Sequence, residues 1–133
     1  MNKADQFVED LYCSFNGRVP IKVGFTQGFE AVYPLVFENS NGVPIGLIGC
    51  ASNKWISADL VQIYHLSTFK PNCGAGTIMM KYLCTKADLF QVSLCLQAEQ
   101  LTSTTIDRQS LIQWYERYSF KESGIFLRKP SLI

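Results

Sequence analysis

The sequence predicts an α+β fold: a mixed, mostly antiparallel sheet flanked by helices, with one central β-α-β crossover. Three observations carry that prediction. Apolar residues recur at helical spacing near residues 3–15, 75–88 and 107–118. Runs of β-branched and aromatic residues lie between the first two of these stretches, and Asn39-Ser40-Asn41-Gly42 joins two of the runs as a hairpin turn. A further run, Val61 to Leu66, leads through a glycine-bearing turn into a helix that another strand follows. That order describes two parallel strands joined by a crossover.

Ala4, Phe7, Val8, Leu11 and Phe15 share one face of the first helix, and Asn16-Gly17 ends it. Arg18 to Phe25 alternates weakly, with Val19, Ile21 and Val23 on one side, and Gln27-Gly28 is a turn. Glu30 to Glu38 is a stronger strand, and Pro34 inside it calls for an edge position or a bulge. Val43 to Ala51 returns as its partner, with little side-chain bulk at Gly46 and Gly49. After a loop at Ser52–Trp55 the central strand runs from about Ala58 to Leu66. It is apolar enough at Val61, Ile63, Tyr64 and Leu66 to be buried on both faces. Ile78, Met79, Tyr82, Leu83 and Ala87 define the apolar face of the second helix, and Phe90, Val92, Leu94 and Leu96 one face of the next strand. Residues 97–105 are polar and loop-like. Asp107 can cap a helix to about Tyr118, with Leu111, Tyr115 and Tyr118 on one side and Ile112 beside them. Ile125 to Arg128 is a last short strand, closed by Pro130.

A chain of 133 residues, 47% hydrophobic and 17% charged, reads as a single domain over residues 1–133 and not as a disordered segment. A net charge of +1 argues against a dedicated nucleic-acid surface. No apolar run is long enough to cross a membrane, and Asp5, Glu9 and Asp10 near the start are unlike a signal peptide. Cys13, Cys50, Cys73, Cys84 and Cys95 are odd in number and contain no C-x-x-C pair. They read as free thiols of a cytoplasmic protein, with no metal site expected.

The junction after the central strand is the richest stretch chemically. Pro71 and Asn72 break the strand, Cys73, Gly74, Ala75 and Gly76 make the turn, and Thr77 lies in the first turn of the helix. A helix start presents backbone N–H groups with no intrahelical acceptor at the positive end of the helix dipole, and glycine lets an anion approach the backbone. This favours a phosphate site, although a lone G-x-G pair is equally the mark of an ordinary loop. There is no G-x-x-x-x-G-K-[ST] run, so the turn is not a P-loop. It also lacks the third glycine of a dinucleotide fingerprint.

The order of elements, this turn, and Trp114-Tyr115-Glu116-Arg117-Tyr118-Ser119-Phe120 together resemble the GNAT superfamily of acetyl-CoA-dependent N-acetyltransferases, over about residues 30–129. The family's turn reads [QR]-x-x-G-x-[GA]; Gly74 and Gly76 match it and Pro71 departs from it. Its late helix often ends [FL]-Y-E-x-x-G-F; Trp114, Tyr115, Glu116 and Phe120 match, and Ser119 replaces the glycine. Arg108 stands where the family often has Asn.

The resemblance implies a short GNAT-like acyltransferase domain. It would move acetyl from acetyl-CoA to a primary amine by direct attack on the thioester, without a metal. The backbone N–H groups of Asn72, Cys73, Gly74, Ala75, Gly76 and Thr77 would hold the pyrophosphate of coenzyme A. Lys70 or Lys81 would either add charge nearby or be solvated lysines. The pantetheine arm would lie in a gap between the strand ending at Leu66 and the strand at Phe90–Leu96. There the Leu66 backbone N–H would meet the thioester carbonyl and stabilise the oxyanion. Tyr115 would be the general acid for the departing thiolate, against the plain reading of a core aromatic. Glu30, Asp59 and His65 are candidate bases, and none is assigned. The acceptor amine is not specified by the sequence.

Two other readings stay open. Pro71, Arg108 and the missing base also suit a GNAT-fold protein that binds a partner without catalysis. Cys73 before a helix, with His65, is the minimal outline of a cysteine hydrolase. The short chain and its abundant apolar strand surface are compatible with a homodimer.

Overall fold

The computed structural model describes residues 2–13, 25–27, 30–32, 34–53, 56–69, 74–96, 108–123 and 125–131. Its elements in chain order are α1 (Lys3–Cys13), β1 (Phe25–Gln27), β2 (Glu30–Val32), β3 (Pro34–Glu38), β4 (Pro44–Ser52), β5 (Leu60–Thr68), α2 (Ala75–Phe90), β6 (Ser93–Leu96), α3 (Arg108–Glu116), β7 (Lys121–Ser123) and β8 (Ile125–Arg128). β1 and β2 form a separate two-stranded ribbon. The other strands make one sheet in the order β3-β4-β5-β6-β8-β7, parallel only between β5 and β6. The chain is a mixed α+β fold with a mostly antiparallel sheet and helices packed against it.

Alternation along the strands fixes which residues face the helices. Ser52 donates its hydroxyl hydrogen to Asp5 of α1 at 2.7 Å, and Phe37 meets Tyr82 of α2 edge-on at 5.5 Å. Ile48, Cys50, Val61, Ile63, Leu94 and Leu96 lie on that same face by register, and all are buried. α1 contributes Ala4, Phe7 and Leu11, all fully buried, and Asn2 caps it by accepting the Asp5 N–H at 2.8 Å. α3 joins the same side where Tyr115 meets Phe126 of β8. Gly46 is needed for the fit of α2, because a Cβ there would lie 2.8 Å from the Met79 sulfur and 2.6 Å from the Ser67 carbonyl oxygen.

Both α2 and α3 end in a left-handed residue that is not glycine: Gln91 at φ 54° and Ser119 at φ 73°. After α2, Gln91 N–H donates to Asp88 O and Val92 N–H to Ala87 O. After α3, Ser119 N–H donates to Glu116 O and Phe120 N–H to Tyr115 O. Each is a Schellman closure, and in each the residue after the left-handed one packs into the core. The end of α2 is further clamped. Arg128 is buried, donates to both carboxylate oxygens of Asp88 at 2.9 and 3.1 Å, and donates from Nε to Tyr118 O at 2.8 Å. The Ser131 N–H adds a third bond to Asp88.

Several boundaries differ from the sequence reading, among them the central strand, which spans Leu60–Thr68 and not Ala58–Leu66, and the last helix, which ends at Glu116 and not Tyr118. The strand expected over Glu30–Glu38 is two strands in two sheets, with Pro34 opening an edge strand as its missing N–H requires. Gln27, expected in a turn, pairs with Glu30. Phe90 ends α2 instead of starting the next strand, because Gln91 closes the helix without a glycine to announce it. β7 was not anticipated. The Arg18–Val23 portion of the first expected strand, Phe15, and the Asp107 cap lie outside the described residues.

Candidate functional site

The site begins with an irregularity in β5. Between Gly49/Cys50 on β4 and His65/Ile63 on β5 the register shifts by one, leaving Tyr64 as the extra residue of a bulge. The bulge swaps the parity of the strand. Before it, Val61 and Ile63 face the helices; after it, Leu66 and Thr68 do, opposite Ile48 and Gly46.

The backbone groups are swapped as well. Phe69 N–H donates to Ile45 O at 3.0 Å, which sets the alternation of the ladder beyond the bulge. Leu47/Ser67 and Gly49/His65 are hydrogen-bonded pairs, while Ile48/Leu66 and Gly46/Thr68 are not. The N–H and C=O of Leu66 therefore point away from β4, toward the β6 side. Among the described residues the β5–β6 ladder is three pairs long, from Leu60/Ser93 to Gln62/Cys95, whereas β5 continues to Thr68. No described residue pairs with Leu66 on that side.

α2 starts beside the C-terminal end of β5, with Gly76 next to Thr68. Gly74 is its N-cap, at φ 79°, exposed, with open space where a Cβ would be. The first N–H with an intrahelical acceptor is that of Ile78, to Gly74 O at 3.2 Å. The N–H groups of Ala75, Gly76 and Thr77 precede it, and no side chain caps them from Gly74. The two glycines serve different ends. Gly74 supplies a backbone angle that L-residues rarely adopt. Gly76 supplies clearance, because a Cβ on it would lie 3.3 Å from Trp114 Cζ2 and 3.7 Å from Thr68 Cγ2.

Tyr115 is buried on α3 among Trp114, Phe120 and Phe126, with ring centroids 5.0, 5.4 and 6.1 Å away. Burial pushes its phenol up to about 12, so it stays protonated through neutral pH. Among the described residues no polar group meets its hydroxyl. A buried hydroxyl without a partner costs on the order of 1–3 kcal/mol relative to a satisfied one, so the core by itself would favour phenylalanine.

Of the expected site residues, Leu66, Gly74, Ala75, Gly76 and Thr77 are described and gather where β5 meets α2. Tyr115 sits next to Trp114, which touches that junction. Asn72, Cys73, Lys70 and Pro71 lie outside the described residues, as do the side chains of His65, Glu30 and Arg108. The Cys73–His65 reading is thus neither assembled nor dismantled. Asp59 is exposed and accepts the Ser57 hydroxyl hydrogen. Lys81 is exposed on α2. Cys50, Cys84 and Cys95 are free and buried, and burial pushes their thiols up to about 12, 11 and 12, out of the reactive range. Among the described residues no three His, Cys, Asp or Glu side chains cluster as metal ligands, and no helix is long and apolar enough to cross a membrane. A concave surface lined by Ser119, Lys121, Glu122, Leu127 and Lys129 lies at the β7 edge, but none of those side chains is buried.

Sequence reasoning missed the contact of Trp114 with Gly76. It did mark Ser119 as a serine where the resembling pattern has glycine, and the structure shows why glycine suits that position: Ser119 is the left-handed residue that closes α3.

No family model matches this sequence, and no curated protein does. Among solved structures, the chain is similar to the crystal structure of the anti-CRISPR protein AcrVA5, with a TM-score of 0.52 at 18% identity. The match covers 71% of this chain and 95% of that one. At that identity the likeness is one of fold.

Proposed function

We propose that this chain is an N-acetyltransferase of the GNAT type, moving acetyl from acetyl-CoA to a primary amine. The observation that carries the proposal is the bulge at Tyr64. It turns the Leu66 N–H and C=O toward the β6 side, past the last β5–β6 pair among the described residues, and the start of α2 there has three N–H groups without intrahelical acceptors. Such an edge suits an amide-bearing arm lying along it as an extra strand, and the helix start suits its phosphates.

In this reading Gly74, Ala75, Gly76 and Thr77 hold the pyrophosphate, and Leu66 N–H donates to the thioester oxygen. The amine nitrogen, already deprotonated, attacks the carbonyl carbon and forms the C–N bond. The oxygen takes up negative charge at Leu66 N–H, then the C–S bond breaks. The thiolate takes the Tyr115 phenolic proton, and the proton that the nitrogen gives up returns through solvent to the Tyr115 phenolate. The products are an amide and free coenzyme A. Burial keeps the Tyr115 phenol protonated at neutral pH, and a buried hydroxyl that meets no polar group among the described residues supports a use beyond packing.

Calorimetry with acetyl-CoA and an amine screen test this, with Tyr115→Phe beside the wild type. The expected result is micromolar binding, together with a variant whose kcat falls about a hundredfold while its melting temperature holds or rises. No binding at millimolar coenzyme ends the reading and leaves the alternative, a partner-binding protein on the same fold. A variant with unchanged kcat removes Tyr115 from the chemistry.

A further inference from the structure

Trp114 has no part in the chemistry above, yet it stands where three elements meet. Its indole reaches from α3 to the first turn of α2, and the space beside Gly76 is shared by Trp114 Cζ2 at 3.3 Å and Thr68 Cγ2 at 3.7 Å from the place a Cβ would occupy. Tyr115 and Tyr118 hold the ring edge-on, with centroids 5.0 and 5.2 Å away. The residue is only half-buried, so part of its large flat apolar surface reaches solvent. An arm running from phosphates at Gly74–Thr77 to a thioester at Leu66 has to pass Thr68, and so has to pass this ring. Gly76 is then explained by the indole and not only by an anion.

Resting on the acetyl-CoA reading, we propose that Trp114 is a binding residue of the slot: its indole forms the wall against which the pantetheine arm of coenzyme A lies between the helix start and Leu66. The wall would meet the arm and not the phosphates at the helix start.

The test uses the full chain with Trp55→Phe, which leaves Trp114 as the only indole of the two tryptophans. Two probes are titrated by calorimetry and by tryptophan emission: coenzyme A, and the 3′-phosphorylated adenosine diphosphate that is coenzyme A without its arm. Coenzyme A should shift the emission with the same Kd that calorimetry reads, and the armless nucleotide should bind without shifting it. Trp114→Ala should weaken coenzyme A at least tenfold and the armless nucleotide less than twofold, and Trp114→Phe should recover most of the loss.

If coenzyme A binds but neither the emission nor the Trp114→Ala affinity changes, the wall is refuted and the acetyl-CoA reading stands. Equal weakening of both probes makes the residue structural and also overturns the proposal. If coenzyme A does not bind the wild type at all, both readings fall together. Should Trp114→Ala not fold, the emission experiment and Trp114→Phe decide, because each reads the contact in a protein with an aromatic ring in place.

Discussion

At its C-terminal end α2 is closed by a Schellman turn, a two-pronged Arg128–Asp88 pair and the Ser131 amide. At its N-terminal end it has a bare glycine in the left-handed region and three N–H groups ahead of the first intrahelical bond. One helix thus carries the best-connected polar cluster among the described residues and, about 18 Å along its axis at 1.5 Å per residue, a turn with its hydrogen-bonding capacity unspent. The difference separates two duties. The closed end fixes where the helix sits over the sheet, so that the open end can be held in place without using up its own donors.

The largest test of that division is Arg128→Ala. It leaves Asp88 without its cation and the Tyr118 carbonyl without its donor, and should cost on the order of 3 kcal/mol in urea unfolding. The folded fraction should bind coenzyme A as the wild type does. An affinity loss matching the stability loss would mean the two ends are one unit.

Next is the open end. Gly74→Glu should weaken coenzyme A at least tenfold by placing a carboxylate among the N–H groups proposed to hold the phosphates, while Gly74→Ala carries only the backbone strain, about 1 kcal/mol of stability. Equal binding by both variants would remove the anion site from that turn.

A smaller effect follows from acid. Burial works to raise the Asp88 carboxyl, but the hydrogen bonds from Arg128 and from the Ser131 amide, with the Arg128 charge, outweigh it and hold the group below the usual carboxylate range. Its folded-state value is thus depressed. Its contribution to stability is present above about pH 4, the value of an unfolded aspartate, and is lost as pH falls through the folded value. Melting temperature should therefore drop below pH 4, and more steeply in the wild type than in Asp88→Asn.

The smallest is Ser119→Gly, which should relieve the left-handed strain at the end of α3 and raise stability by about 0.5–1 kcal/mol, read as a shift in urea midpoint.

The fold was legible wherever periodicity was undisturbed. Ala4, Phe7 and Leu11 on α1, and Met79, Leu83 and Ala87 on α2, are the buried residues their spacing announces. Ile78, counted on the same stripe, is half exposed, since the buried set continues through Met80 and Cys84 instead. Two of the misses share a cause. Gln91 and Ser119 adopt a conformation whose usual sequence mark is glycine, so the end of α2 carried no signal, and the end of α3 carried only a serine in the glycine position of the resembling pattern. Tyr64 broke the period-two pattern of β5, and the resulting apolar spacing at Ile63, Tyr64 and Leu66 reads equally well as burial on both faces. At the site, the glycines were visible as glycines but their division of labour was not. The clearance at Gly76 is set by Trp114, thirty-eight residues along the chain.

The bulge has a further consequence, best put as reading frame. A strand is a two-letter code in which each residue presents its peptide group to one neighbour and the next residue to the other. Tyr64 is a single-letter insertion in that code. Downstream of it the even-numbered residues take the role that odd-numbered ones held upstream, so the peptide offered to the β6 side is that of Leu66 and not those of His65 and Ser67. Substituting Tyr64 leaves the frame intact. Deleting one residue between Gly46 and Cys50 on the partner strand would force β4 and β5 to choose between the register of the hairpin and the register of the core, whatever residue is removed.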